Sequence, residues 1–112
     1  MTVEEREQKA AELFKAGYNC CQSVAMTFAD VLGLPEDEVA RLTSGFGGGM
    51  GRMREVCGTV SAMTMVAGKM IPVDDVSNKE AKTANYALVQ EMAGEFKQMN
   101  GSIIVHSTIE LM

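Results

Sequence analysis

The sequence predicts an all-α domain: a compact bundle of about five helices, with a glycine-rich loop ahead of a buried central helix. Three observations carry this expectation. Apolar residues recur at three- and four-residue steps through most of the chain, the spacing that places them on one helix face. Met occurs 10 times while aromatic residues make up 5% and Trp is absent, so the core draws on Met, Ala and aliphatic side chains, which pack well between helices. Residues suited to helix caps alternate with glycines suited to helix stops. The 112 residues suffice for one core, so residues 1–112 are read as a single domain.

The first element follows from Thr2-Val3-Glu4-Glu5, which has capping-box spacing, and should run to about Ala16 before the stop at Gly17. Asn19 is an N-cap for a second helix. Cys21, Val24, Ala25, Phe28, Val31 and Leu32 form its buried stripe, and Gly33 ends it. Pro35 with Glu36, Asp37 and Glu38 has the fixed φ and acidic first turn of a third, short helix reaching about Ser44. Gly45-Phe46-Gly47-Gly48-Gly49-Met50-Gly51 holds five glycines in seven residues and predicts a loop with positive φ angles or close backbone approach. Val56, Cys57, Val60, Met63, Val66, Ala67 and Met70 then mark the central helix. Pro72 interrupts the pattern, and Ser77-Asn78-Lys79-Glu80 repeats the capping-box spacing. A long helix follows, carrying Ala84, Leu88, Met92, Phe96 and Met99 and closing at Asn100-Gly101. Ser102 can start a last short helix, against which the β-branched Ile103, Ile104, Val105, Thr108 and Ile109 argue.

Composition excludes several classes of function. A net charge of −5 without clustered Lys and Arg argues against nucleic-acid binding. The acidic start Glu4-Glu5-Arg6-Glu7 lacks the basic-then-apolar order of an export signal. The most apolar stretch, 56–71, is broken by Gly58, Ser61, Thr64, Gly68 and Lys69, so no membrane span is expected. Three cysteines without an export signal fit a reducing compartment, and a cytoplasmic location is expected.

Chemistry concentrates on the cysteines. Cys20 and Cys21 follow the Asn19 cap, so both fall in a helix's first turn, where unpaired backbone N–H groups and the macrodipole favour a thiolate. Cys21 also belongs to the apolar stripe and is read as packing, whereas Cys20 lies about 100° round the helix and can face elsewhere. A Cys20–Cys21 disulfide would be strained, because neighbouring Cα atoms are about 3.8 Å apart and disulfides want about 4.4–6.8 Å. Cys57 sits at the start of the central helix, and crossing of the two helices can bring it to Cys20; the alternative is a buried core residue.

The loop lacks the ordered Gly-x-Gly-x-x-Gly pattern and a Lys-Ser/Thr pair, so nucleotide binding is not expected. Gly47, Gly48, Gly49 and Gly51 instead support the cysteine end by a tight turn and backbone N–H groups. Arg52 and Arg54 either add positive charge there or are solvated. His106, the single histidine, has no ligand-spaced partner and reads as a surface residue. The runs Glu4-Glu5-Arg6-Glu7 and Glu36-Asp37-Glu38 read as solvated helix starts.

Three segments together carry a resemblance: Gly17-Tyr18-Asn19-Cys20-Cys21-Gln22-Ser23-Val24, Ser44-Gly45-Phe46-Gly47-Gly48-Gly49-Met50-Gly51-Arg52 and Glu55-Val56-Cys57-Gly58. In order and spacing they resemble the C-GCAxxG-C-C family, small helical proteins grouped under a redox designation, over about residues 8–104. The resemblance implies four characteristic cysteines that act as a redox or metal site, with Cys20 matching the first and Cys57 the second. Cys57-Gly58-Thr59-Val60-Ser61-Ala62 departs from the family motif at Thr59 and Ala62. Val105 stands where similar proteins place the third cysteine, and the fourth would fall in a further C-terminal stretch.

The leading expectation is a thiol redox protein with Cys20 as nucleophilic thiolate, Cys57 as resolving thiol, and the loop with Arg52 stabilising negative charge. Its redox partner is not specified. An alternative is a soft-metal or iron–sulfur module drawing on Cys20, Cys21 and Cys57. A full site of that kind wants four ligands, so it would require pooling across a homodimer, and no cofactor is favoured. A third reading is a divergent member that keeps the fold in a structural or interaction role.

Overall fold

The computed structural model describes residues 1–105. Its elements are α1 (Val3–Lys15), α2 (Cys20–Met26), α3 (Ala29–Leu32), α4 (Glu36–Leu42), a 3₁₀ turn (Ser44–Phe46), α5 (Gly58–Met70) and α6 (Lys79–Asn100). No strand is present among the described residues, and the all-α bundle follows from the sequence pattern.

Local chemistry explains most boundaries. At the start of α1 the Glu5 N–H donates to Thr2 Oγ1 (3.1 Å) and the Thr2 N–H donates to Glu5 Oε1 (2.9 Å), the reciprocal cap expected. Gly33 and Gly101 close α3 and α6 at φ 72° and 86°, a region that suits glycine.

The helix expected to run from Cys20 to Leu32 is two helices. The Thr27 hydroxyl donates to the Val24 carbonyl (2.7 Å), and the Thr27 and Phe28 N–H groups bond three residues back, to Val24 (3.1 Å) and Ala25 (3.0 Å). From α1, the Arg6 guanidinium donates to the Thr27 carbonyl, sits 4.4 Å from the Phe28 ring centre and pairs with Asp30 at 3.0 Å. A tertiary cation thus captures a carbonyl that a continuous helix would keep for itself.

Two further boundaries differ from expectation. The cap of α6 is Asn78, whose Oδ1 accepts from the Ala81 N–H (3.0 Å); Ser77 instead bonds Asp75 through its N–H (2.9 Å) and hydroxyl (2.7 Å). After Gly101 the chain is extended rather than helical through 105. It forms an isolated antiparallel bridge, Val56 with Ile104, as its β-branched side chains favour. The rest of that segment, His106 included, lies outside the described residues.

The core gathers around α2, where Cys21, Ala25 and Met26 pack with Ala29 of α3, Val39 of α4 and Ala62 of α5, flanked by Leu13, Val24, Leu32, Ala40 and Phe46. α5 lies between α2 and α6 and buries Gly58, Val60, Ala62, Val66 and Ala67. α6 covers the far side of α5, and none of its residues is fully buried. Asn85 ties it to the end of α5 by donating to the Ile71 carbonyl (3.0 Å).

The α2–α5 contact is closest at their N-terminal ends. A Cβ on Gly58 would stand 2.7 Å from the Cys21 backbone nitrogen and 3.0 Å from the Cys21 Cβ. Gly68, in the same helix, has nothing within 4 Å of such an atom. Gly58→Ala is therefore expected to destabilise the protein by about 1–3 kcal/mol through overpacking. Gly68→Ala should stabilise it by about 0.5–1 kcal/mol through helix propensity. Urea denaturation of the two variants checks both the magnitude and the opposite signs.

Candidate functional site

Two helix starts abut at this contact. Asn19 caps α2: its Oδ1 accepts from the Gln22 N–H (2.8 Å), and its own N–H donates to Gln22 Oε1 (3.0 Å). This fixes Cys20 as the first residue of α2 and Cys21 as the second. Cys57 caps α5, its carbonyl accepting from the Val60 (3.0 Å) and Ser61 (3.1 Å) N–H groups. The Cys57 N–H donates to the Ile103 carbonyl (2.8 Å), so the extended 103–105 segment holds the start of α5 from outside.

The thiols of Cys20 and Cys57, both half-buried, are hydrogen-bonded to each other. No disulfide joins them. Cys21, 0% exposed, turns into the core cluster, the packing role read from its stripe. The structure therefore brings two of the three sulfurs together and diverts the third.

The electrostatics run against the first-turn argument for Cys20. Its hydrogen bond to Cys57 pushes its pKa strongly upward, and burial and the neighbouring Cys57 charge act in the same direction. Cys21 is pushed up to about 12, mainly by burial. The Cys20 thiol is thus held against ionisation, opposite in direction to the lowering that its helix position alone would give.

The glycine loop abuts the α2 start from the other side. Asn19 Nδ2 donates to the Ser44 carbonyl (3.2 Å) and, more weakly, to that of Thr43 (3.5 Å); Gln22 Nε2 donates to the Ala40 carbonyl (2.8 Å). Gly47 lies where a Cβ would come within 3.1 Å of the Asn19 side chain. Five consecutive residues have positive φ: Gly48 (62°), Gly49 (72°), Met50 (64°), Gly51 (57°) and Arg52 (62°). Arg54 (60°) joins them. The N–H groups of residues 50–55 all donate to carbonyls within 45–50, from 2.7 to 3.3 Å, so they are paired inside the loop rather than presented to the thiols.

Two openings flank the cap. A cleft of about 630 Å³ is lined by Phe14, Tyr18, Asn19, Ser44 and Arg52 together with Gly17, Gly45, Gly47 and Gly51. A narrower groove of about 240 Å³, with Phe14 as a shared wall, reaches Cys20 past Ala10, Ala11, Ser23, Val24 and Thr59. Phe14 and Gln22 were not singled out in the sequence. The Asn19-x-x-Gln22 capping-box spacing was a usable signal for Gln22; nothing marked Phe14, because walls of clefts have no local signature.

The sequence profile of the family described as "Putative redox-active protein (C_GCAxxG_C_C)" matches residues 18–110, most of the chain, with Cys20, Cys57 and the glycine loop inside the match. The chain belongs to the C-GCAxxG-C-C family. No curated protein and no solved structure is a significant match. No described helix is long and apolar enough to cross a membrane.

Within this family's cysteine pattern, Val105 takes on a structural meaning. It is 2% exposed, and its N–H donates to the Glu55 carbonyl (2.9 Å), two residues before Cys57 in the chain. Among the described residues no three His, Cys, Asp or Glu side chains converge as metal ligands, because Cys21 faces the core. The candidate set Cys20, Cys21 and Cys57 does not fit a metal or iron–sulfur centre on this chain's described residues. His106 lies outside them.

Cys21 offers a check on the electrostatics. Its thiol holds its proton more tightly in the folded chain than at its ordinary value of 9.0, so its stabilising contribution is intact below pH 9 and is lost as pH rises towards 12. Stability of the wild type should fall over that window faster than that of Cys21→Ala, by at most about 1.4 kcal/mol per pH unit. Denaturation midpoints measured across the alkaline range test this difference.

Proposed function

We propose that the protein is a thiol–disulfide redox protein in which Cys57 attacks and Cys20 resolves. The thiol–thiol hydrogen bond at the two abutting helix starts carries this reading. A pair that shares one proton ionises once readily, leaving a thiolate that accepts a hydrogen bond, and resists a second ionisation beside the first. Cys20 keeps the proton, so the single negative charge belongs to Cys57, the cap of the longer helix.

The chemistry balances with a disulfide-bearing partner. The Cys57 thiolate attacks one sulfur of the partner disulfide; a Cys57–partner disulfide forms and the partner's other sulfur leaves as a thiolate. Cys20 gives its proton to that thiolate, attacks the Cys57 sulfur and releases the second partner thiolate, which takes a proton from water. Two electrons pass to the partner, and Cys20 and Cys57 end as a disulfide. Attack weakens the interaction that had kept Cys20 protonated, because Cys57 no longer carries charge. Cys20 is thereby released for the second step only after the first has happened.

Exposure of reduced protein to oxidised glutathione should remove two titratable thiols reversibly. Peptide mapping should place the new bond between Cys20 and Cys57, and Cys21→Ala should behave as the wild type. Cys20→Ser should accumulate a mixed disulfide on Cys57, while Cys57→Ser should slow the first reaction at neutral pH at least about tenfold. A Cys20–Cys21 bond, or unchanged thiol content, overturns the proposal.

A further inference from the structure

We propose that the cleft between the end of α1 and the glycine loop binds a small organic carboxylate, its apolar or aromatic body against Phe14 and Tyr18 and its carboxylate on the Arg52 guanidinium. This site is separate from the thiol pair and does not depend on the redox reading. Its volume of about 630 Å³ lies in the range of small-molecule sites. Two of its walls are aromatic rings left 40% (Phe14) and 36% (Tyr18) exposed, in a chain with 5% aromatic residues overall.

Arg52 supplies the charge. The ion pairs among the described residues are Arg6–Asp30, Lys9–Glu36 and Arg41–Glu38, so Arg52 lines the cleft without a carboxylate of its own, in a chain of net charge −5. Its backbone is held at φ 62°, a conformation that disfavours any residue with a Cβ, although five glycines in the preceding seven residues show that the loop readily accommodates glycine. Met50 and Arg54 share this conformation without lining the cleft, so the place of Arg52 in the cleft wall carries the argument.

The class of anion follows from the donors on offer. A phosphate site wants several backbone N–H groups, and those of residues 50–55 are already bonded inside the loop. One guanidinium fork matches one carboxylate, and the net negative chain disfavours a dianion. The flat, apolar walls then select an acid with a compact hydrophobic body.

The test uses the full chain carrying Tyr86→Phe, which leaves Tyr18 as the reporting tyrosine, with phenylacetate, phenylacetamide and phenyl phosphate as probes. Phenylacetate should bind saturably by both calorimetry and Tyr18 fluorescence, and added salt should weaken it. Phenylacetamide should bind at least about tenfold more weakly. Arg52→Gln should lose binding to a similar extent. Arg52→Gly suits the backbone conformation, so it should stay folded, melt at least as high as the parent, and still lose binding. Absence of saturable binding, equal affinity for the amide, or undiminished binding by Arg52→Gly overturns the proposal. Tighter binding of phenyl phosphate overturns the carboxylate assignment.

Discussion

A Cβ at position 58 would stand 2.7 Å from the backbone nitrogen of Cys21, so α5 can begin where it does only because Gly58 has no side chain. That approach sets the rest of the site. It puts residue 57 beside residue 20, lets Cys21 drop into the core with Ala25 and Ala62, and leaves the two remaining sulfurs within hydrogen-bonding reach. An ordinary helix pair is separated by about 8–10 Å, and only small residues at the crossing allow less. Here the small residue lies at the first turn of α5, so the closest approach coincides with the helix starts rather than with their middles.

The surrounding loop maintains this arrangement at a cost. Met50, Arg52 and Arg54 occupy positive φ, each worth roughly 1–2 kcal/mol against a residue with a Cβ. The six backbone hydrogen bonds donated by residues 50–55 contribute on the order of 0.5–1.5 kcal/mol each, enough to hold the turn closed. Gly49 is irreplaceable within it, since a Cβ there would meet the Glu55 backbone nitrogen at 2.7 Å. Glu55 in turn accepts from Val105, so the loop, the start of α5 and the extended 103–105 segment are joined by main-chain bonds. Such a rigid scaffold fixes Cys57 through its backbone, leaving its side chain as the variable part.

Much of this was legible in local sequence. Thr2, Asn19, Gly33 and Gly101 act as cap and stop residues because their chemistry is settled within four residues of chain. The glycine loop was likewise visible from composition. What local reading missed involves partners far away in sequence. Arg6 reaches across to Thr27 and splits one expected helix into two; Gln22 bonds Ala40; the 103–105 segment bridges to 55–57. The site was readable as a set of residue types, because Cys20 follows the Asn19 cap and Cys57 opens the apolar pattern of the central helix. Their relation was not readable, because no sequence spacing encodes a hydrogen bond between sulfurs 37 positions apart.

The upward shift at Cys20 shows which force wins there. A helix N-terminus stabilises an anion by about 0.3–1 kcal/mol when exposed, and α2 has only seven residues to build a dipole. Against that stand the loss of water around a half-buried sulfur and a neighbouring thiol group that accepts its hydrogen bond. Each pK unit is about 1.4 kcal/mol, so even a shift of one unit from burial and pairing overrides the dipole. The first-turn rule describes a single cysteine at a solvated helix start. Two cysteines at abutting starts compete for one negative charge, and the outcome depends on which sulfur keeps the shared proton. On the redox reading proposed above, that competition gives the two thiols different roles even though each occupies a helix start.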